Sequence, residues 1–194
     1  MKIILASASP RRRELLKQIV TEFEVIPSDA EEFIPNKIPP EIVTELASQK
    51  ARAVADKTGN AGVETLIIGA DTIVVHDGRI LGKPRDEADA CRMLRGLSGD
   101  SHFVYTGVCL LLMREDQVET DAFYERTEVL FYPMTGKEIE AYIKSGDPMD
   151  KAGAYGIQSG CGKYIRGIRG DYNNVVGLPV ARLYQEMKER GFII

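Results

Sequence analysis

Residues 5–14 read Leu-Ala-Ser-Ala-Ser-Pro-Arg-Arg-Arg-Glu, and these types in this order describe an anion site. Ser9 stands as an N-cap and Pro10 at the first helical position, the pair that opens a helix. Backbone N–H groups at a helix start attract anions, and the helix dipole adds partial positive charge there. Arginine in the first turn works against that dipole, so Arg11, Arg12 and Arg13 need another reason. A bound polyphosphate supplies it.

A carboxylate inside a strand is the second chemical signal. Gly69-Ala70-Asp71-Thr72 interrupts an apolar run, where Asp is disfavoured and an unpaired buried carboxylate is costly. One reading is structural: Asp71 caps a bulge or pairs with a buried arginine. The other is chemical: a carboxylate that holds a divalent metal or takes a proton from water. Gly82-Lys83-Pro84 follows a hairpin that spans the twelve residues from Asp71, so Lys83 can fold back towards it. Taken alone, Lys83 reads as a solvated lysine, Lys50 as a snorkelling helix lysine, and Glu31-Glu32 as surface charge. Asp150-Lys151-Ala152-Gly153-Ala154-Tyr155-Gly156-Ile157-Gln158 is either a tight turn or a glycine-rich ligand loop. In the second case Gln158 offers a donor and an acceptor to a base edge. His102 has no Asp or Ser partner at motif spacing and reads as structural; His76, beside the hairpin, reads as surface.

The elements that must position these groups follow from apolar spacing. A strand over Lys2–Ala6 leads into a helix from Pro10 to about Val20, with Leu15, Leu16, Ile19 and Val20 on one face. Residues 23–26 form a short strand and 27–40 a proline-rich loop. A long helix runs from about Pro40 to Lys57 and stops at Gly59. A buried strand starts at Thr65 and continues past Asp71 to Val75. Asp77-Gly78 turns it into a hairpin that returns through Ile80-Leu81. A helix over 86–97, long strands over 103–113 and 123–131 that pair antiparallel, and a helix over 135–144 follow. The last carries a capping box of Thr135 and Glu138. The stretch 146–171 reads as glycine-rich loops around short strands, and 178–190 as a closing helix. The fold class is α/β with a mixed sheet.

Composition removes several functions. The 25 Lys and Arg stand against 29 Asp and Glu, a net charge of −4, which disfavours a nucleic-acid or membrane binder. No apolar run reaches the ~20 residues that span a bilayer, and the N-terminus reads as a strand rather than a signal peptide. The 44% hydrophobic content and 194 residues allow one sizeable core, and we expect a single domain over 1–194. Cys91, Cys109 and Cys161 show no zinc spacing and fit a reducing cytoplasm, with Cys91 and Cys109 on buried patterns. P-loop, Rossmann and hydrolase-elbow motifs do not occur.

As an ordered set, six segments resemble the Maf family, also called septum formation inhibitor proteins. They are Ser7-x-Ser9-Pro10-Arg11-Arg12, Gly69-Ala70-Asp71-Thr72, Gly82-Lys83-Pro84, Ser98-Gly99-x-x-His102, Thr106-Gly107-Val108 and the run from Asp150 to Gln158. Gly170-Asp171-Tyr172 and Val176-Gly177-Leu178-Pro179 complete the match, which covers nearly the whole chain. The resemblance implies hydrolysis of a nucleoside triphosphate to monophosphate and pyrophosphate with Mg²⁺ or Mn²⁺. It implies an elongated two-lobed fold with a central mixed sheet, similar to inosine triphosphate pyrophosphatases (Ham1), with the active-site cleft between lobes. Asp71 matches the proton acceptor, and Arg11, Thr72 and Gln158 match specificity positions. Glu32, Lys50 and Lys83 match charged active-site positions, with Glu32 and Asp71 as metal ligands. Arg12 matches a phosphate-binding arginine, and Ser7 joins it in the substrate set. Ala154-Tyr155-Gly156-Ile157-Gln158 resembles the branch acting on dTTP and UTP. Ser159 stands where glycine is common. A homodimer, a role in nucleotide-pool house-cleaning and one in cell-division arrest are further expectations. The alternatives are a non-catalytic nucleotide-binding regulator of septum formation and an RNA-binding module, the latter disfavoured by the acidic balance.

Overall fold

Apolar spacing and turn chemistry are realised closely in the computed structural model, which describes residues 1–29, 37–59, 62–115 and 117–192. The strands are β1 (Lys2–Ala6), β2 (Glu24–Val25), β3 (Thr65–His76), β4 (Arg79–Leu81), β5 (Ser101–Arg114), β6 (Gln117–Phe131) and β7 (Ile165–Arg169). The helices are α1 (Pro10–Leu16), α2 (Pro39–Thr58), α3 (Glu87–Leu97), α4 (Gly136–Lys144), α5 (Tyr172–Val176) and α6 (Val180–Glu189). The sheet order is β2-β1-β3-β5-β6-β7, with β4 on β3. β1 runs parallel to β2 and β3, while β4 and β7 run antiparallel to their neighbours. The expected mixed α/β sheet is therefore present.

The chain forms two compact units. The first comprises Met1–Asp71, Thr106–Glu125 and Gly177–Ile194. Its core gathers Ile4 and Ala6 of β1, Ile67 of β3, Cys109, Leu111 and Met113 of β5, and Ala47, Ala51 and Val54 of α2. Two glycines let α2 lie directly on strand backbone. A Cβ on Gly69 would sit 2.2 Å from the Ala47 carbonyl oxygen, and one on Gly107 2.2 Å from that of Val43. No side chain fits at either place.

The second unit comprises Thr72–Tyr105 and Arg126–Val176. Its core joins Leu94 and Leu97 of α3, Val104 of β5, Phe131 of β6, Ile139 and Ile143 of α4, and Tyr155 and Cys161. The β3–β4 turn uses Asp77 (φ 48) and Gly78 (φ 70), two left-handed residues as a type I′ hairpin requires. Thr135 and Glu138 form the expected capping box of α4. Asp86 caps α3 by accepting from the Asp89 N–H.

Departures from expectation are local. α1 ends at Leu16 rather than near Val20, because Gln18 and Ile19 donate to carbonyls three residues back and tighten the last turn. α5 was not expected; it is five residues long and too short for a periodic signal. Cys109 and Cys161 are buried, whereas Cys91 is only partly so. No helix among the described residues is long and apolar enough to cross a membrane.

Candidate active site

In the first unit, two groups of polar side chains are built on neighbouring parallel strands. β1 pairs with β3 in the register Ala6↔Gly69, so the Ser7–Arg12 segment leaves one strand beside the point where Asp71 follows on the other. Ser7 is buried. Its Oγ accepts from the Ser9 N–H at 3.2 Å and from Arg12 Nη1 at 3.3 Å. Ser9 caps α1 by accepting from the Arg12 N–H at 3.4 Å. Arg12 Nε donates to the Gly177 carbonyl at 2.8 Å. The guanidinium is therefore aimed by two fixed acceptors before any ligand arrives. Arg11 is half-buried and Arg13 exposed. At seven residues α1 is short, so the arginines rather than a long dipole supply the positive charge.

Asp71 is buried, and its Oδ1 lies 2.5 Å from Lys50 Nζ, with side-chain exposures of 12% and 16%. Strand alternation puts Asp71 on the same face as Gly69, the residue that admits α2. Lys50 lies on that helix between Ala47 and Ala51, which touch Gly69. Close backbone packing thus places the ammonium on the carboxylate. The structural alternative anticipated an arginine; the partner is a lysine. A carboxylate held this way can orient and deprotonate a water, and it offers a hard oxygen donor to a divalent cation.

In the second unit, β4 returns along β3 with Leu81 opposite Val74, carrying Lys83 in the direction of Thr72. Lys83 is exposed. The Gly82 carbonyl accepts from the Gly153 N–H at 3.0 Å, which joins the hairpin arm to the glycine-rich segment. Gly153 has φ 69, and a Cβ there would meet Val74 at 3.0 Å. Gln158 is exposed and follows Gly156 and Ile157 in a turn. Asp147 anchors this segment: its carboxylate accepts from the Tyr142 hydroxyl, from Ser159 Oγ and from Lys151 Nζ at 3.0 Å. Burial raises the Asp147 carboxyl, but the hydrogen bonds from Ser159, Tyr142 and Lys151 outweigh it and leave the group below its ordinary value. Burial, with the bond to Asp147, pushes the Tyr142 phenol up, so it stays a proton donor.

The histidines separate. His102 is buried, shares a 2.7 Å hydrogen bond with the Tyr155 hydroxyl, and packs 5.4 Å from the Phe131 ring. Burial, with the nearby His76 charge, depresses it to about 3, so it is a neutral structural residue, as expected. His76 is not the surface residue expected. Its side chain is 13% exposed and its Nε2 lies 3.0 Å from Asp100. His76, Asp77 and Asp100 are the one group of potential metal-binding side chains among the described residues. Burial pushes the Cys161 thiol to about 12, which makes it inert packing. Glu31 and Glu32 lie outside the described residues.

Sequence reasoning missed the Gly177 carbonyl and the Tyr142–Asp147–Ser159 cluster. Gly177 was quoted as part of a motif without a role; no periodicity links it to Arg12. Asp147 follows Gly146 and opens a four-residue 3₁₀ helix, too short to give a signal in the sequence.

A family model described as Maf-like protein matches residues 2–190. The chain belongs to the Maf family. All the positions above other than Glu31 and Glu32, including Gly177 and Asp147, fall on described residues within that Maf-matched span. Among its relatives, the dTTP/UTP pyrophosphatase of Agathobacter rectalis is 53% identical over 200 residues, covering 98% of each chain. That of Carboxydothermus hydrogenoformans is 52% identical over 192 residues, covering 99% of this chain and all of the relative. The Ham1 protein of Staphylococcus aureus aligns over 98% of this Maf chain at 15% identity and TM-score 0.48, a likeness too loose to carry an argument.

Proposed function

We propose that this Maf protein hydrolyses dTTP and UTP to the monophosphate and pyrophosphate. The observation that carries the reading is the Lys50–Asp71 pair, set on packed backbone in a chain 51–53% identical to dTTP/UTP pyrophosphatases. Arg11 and Arg12 grip the phosphate chain, Arg12 preset by Ser7 and Gly177. Asp71 orients a water and takes its proton as the water oxygen bonds to the α-phosphorus. The α-phosphorus–bridging oxygen bond breaks, and pyrophosphate leaves with the electron pair. Lys50 holds Asp71 in place and, with Lys83, offsets charge on the phosphoryl oxygens. Thr72 and Gln158 contact the pyrimidine, Gln158 through its paired donor and acceptor.

The donor chemistry fits a divalent cation of the hard kind, Mg²⁺ or Mn²⁺: Asp71 supplies a carboxylate oxygen, with Glu32 as the proposed second ligand. When bound, such an ion supplies positive charge against the phosphate oxygens. A cytoplasmic homodimer acting in nucleotide-pool house-cleaning completes the reading; sedimentation checks the assembly.

A pyrophosphate-release screen over common and modified nucleoside triphosphates, with Mg²⁺ and with Mn²⁺, tests the proposal. Turnover highest on dTTP and UTP is expected. Nucleotide binding without release would overturn it in favour of a non-catalytic regulator.

A further inference from the structure

Gln158 is exposed, and an exposed amide discriminates between bases only if its backbone is fixed. The turn that carries it is closed by a Ser159 N–H to Gly156 carbonyl bond of 3.3 Å, long for a backbone bond. A second backbone bond, from the Gly162 N–H to the Ser159 carbonyl at 2.9 Å, lies on the far side of the turn and leaves the Gly156 side weakly held. Side chains supply the rest. Ser159 Oγ lies within hydrogen-bonding distance of Asp147 and, at 3.0 Å, of the Gly156 carbonyl. A hydroxyl has one proton, and the shorter, charged contact takes it. The Tyr142 hydroxyl donates to the same Asp147 oxygen and accepts from the Gly156 N–H at 3.1 Å. One carboxylate therefore fastens both ends of residues 156–159. Lys151 fixes the carboxylate in turn, through its other oxygen at 3.0 Å and the Asp147 carbonyl at 2.7 Å. The turn leaves no slack: a Cβ on Gly156 would lie 2.6 Å from Ser159 Oγ and 2.8 Å from Lys151 Cε.

We infer that Ser159, through Asp147 and Tyr142, is a positioning residue that aims Gln158 and so sets the preference for pyrimidine over purine nucleotides. The inference rests on the reading of Gln158 as the base contact.

The test compares kcat and KM for UTP, dTTP and GTP in the full chain and in Ser159→Ala, Ser159→Thr, Tyr142→Phe and Gln158→Ala. Ser159→Ala should raise KM for UTP and dTTP about tenfold, the loss expected of one hydrogen bond to a charged group, with kcat within about twofold. The UTP-to-GTP ratio of kcat/KM should fall with it, and Ser159→Thr should restore both. Tyr142→Phe should move the same ratio in the same direction. A ratio unchanged in Gln158→Ala would sink the base-contact reading. A ratio changed in Gln158→Ala but unchanged in Ser159→Ala would overturn the positioning role alone. Equal loss of kcat on all three nucleotides in Ser159→Ala would also overturn it, as the mark of a general structural defect.

Discussion

The two units hold their functional groups by different means. In the first, Lys50 reaches Asp71 because α2 rests on the backbone of Gly69 and Gly107. Precision there comes from close packing of regular elements. In the second, Gln158 sits on a turn held by hydrogen bonds from Tyr142, Ser159 and Lys151 to a single carboxylate. Precision there comes from polar side chains on irregular chain. The difference matches the proposed tasks. Chemistry at phosphorus tolerates little misplacement, so it suits a packed scaffold. Base choice needs one amide held on a fixed backbone, which a tethered turn supplies.

The comparison breaks most widely under acid, in the second unit. His102 is depressed from 6.5 to about 3 by burial. The unfolded chain therefore binds a proton that the folded chain refuses across that window. Stability falls as pH drops from about 6.5 towards 3, by about 5 kcal/mol from this one group. Urea melts at several pH values should show that slope reduced in His102→Gln. In the first unit, Gly107→Ala pushes a methyl into the Val43 carbonyl and should cost about 3 kcal/mol, the upper range of overpacking because the obstacle is backbone. Thermal melts check this, and the same variant should lower turnover on every nucleotide equally.

Smaller effects sharpen the contrast. Lys50→Ala leaves Asp71 without its ammonium and should lower kcat on the order of 10²-fold with UTP and GTP alike. Steady-state kinetics on both would show a uniform loss, unlike the selective one expected at Ser159. Arg12→Ala should raise KM about tenfold, because its guanidinium is aimed by Ser7 and Gly177. Exposed Arg13→Ala should change KM by less than about twofold.

Local signals made part of each unit readable in the sequence. Asp71 in an apolar strand, the Asp77-Gly78 hairpin and the Thr135–Glu138 box are local signals, and each stands as read. The Lys50–Asp71 pair spans 21 residues; Asp71 was legible as a motif member, whereas Lys50 read from the residues as a snorkelling helix lysine and was singled out only by the family resemblance. His76 was misread because its partner Asp100 lies 24 residues away, beyond any periodicity. The Asp147 cluster escaped because it joins a helix residue, Tyr142, to a short 3₁₀ turn at Asp147 and a loop turn at Ser159, and no single periodicity spans the three.

The most direct measurement is pyrophosphate release from UTP by Asp71→Asn, paired with nucleotide binding by calorimetry. Release should fall by 10²- to 10⁴-fold, on the order expected for loss of a general base, while binding stays within a few-fold. Release near the unaltered rate would contradict the account.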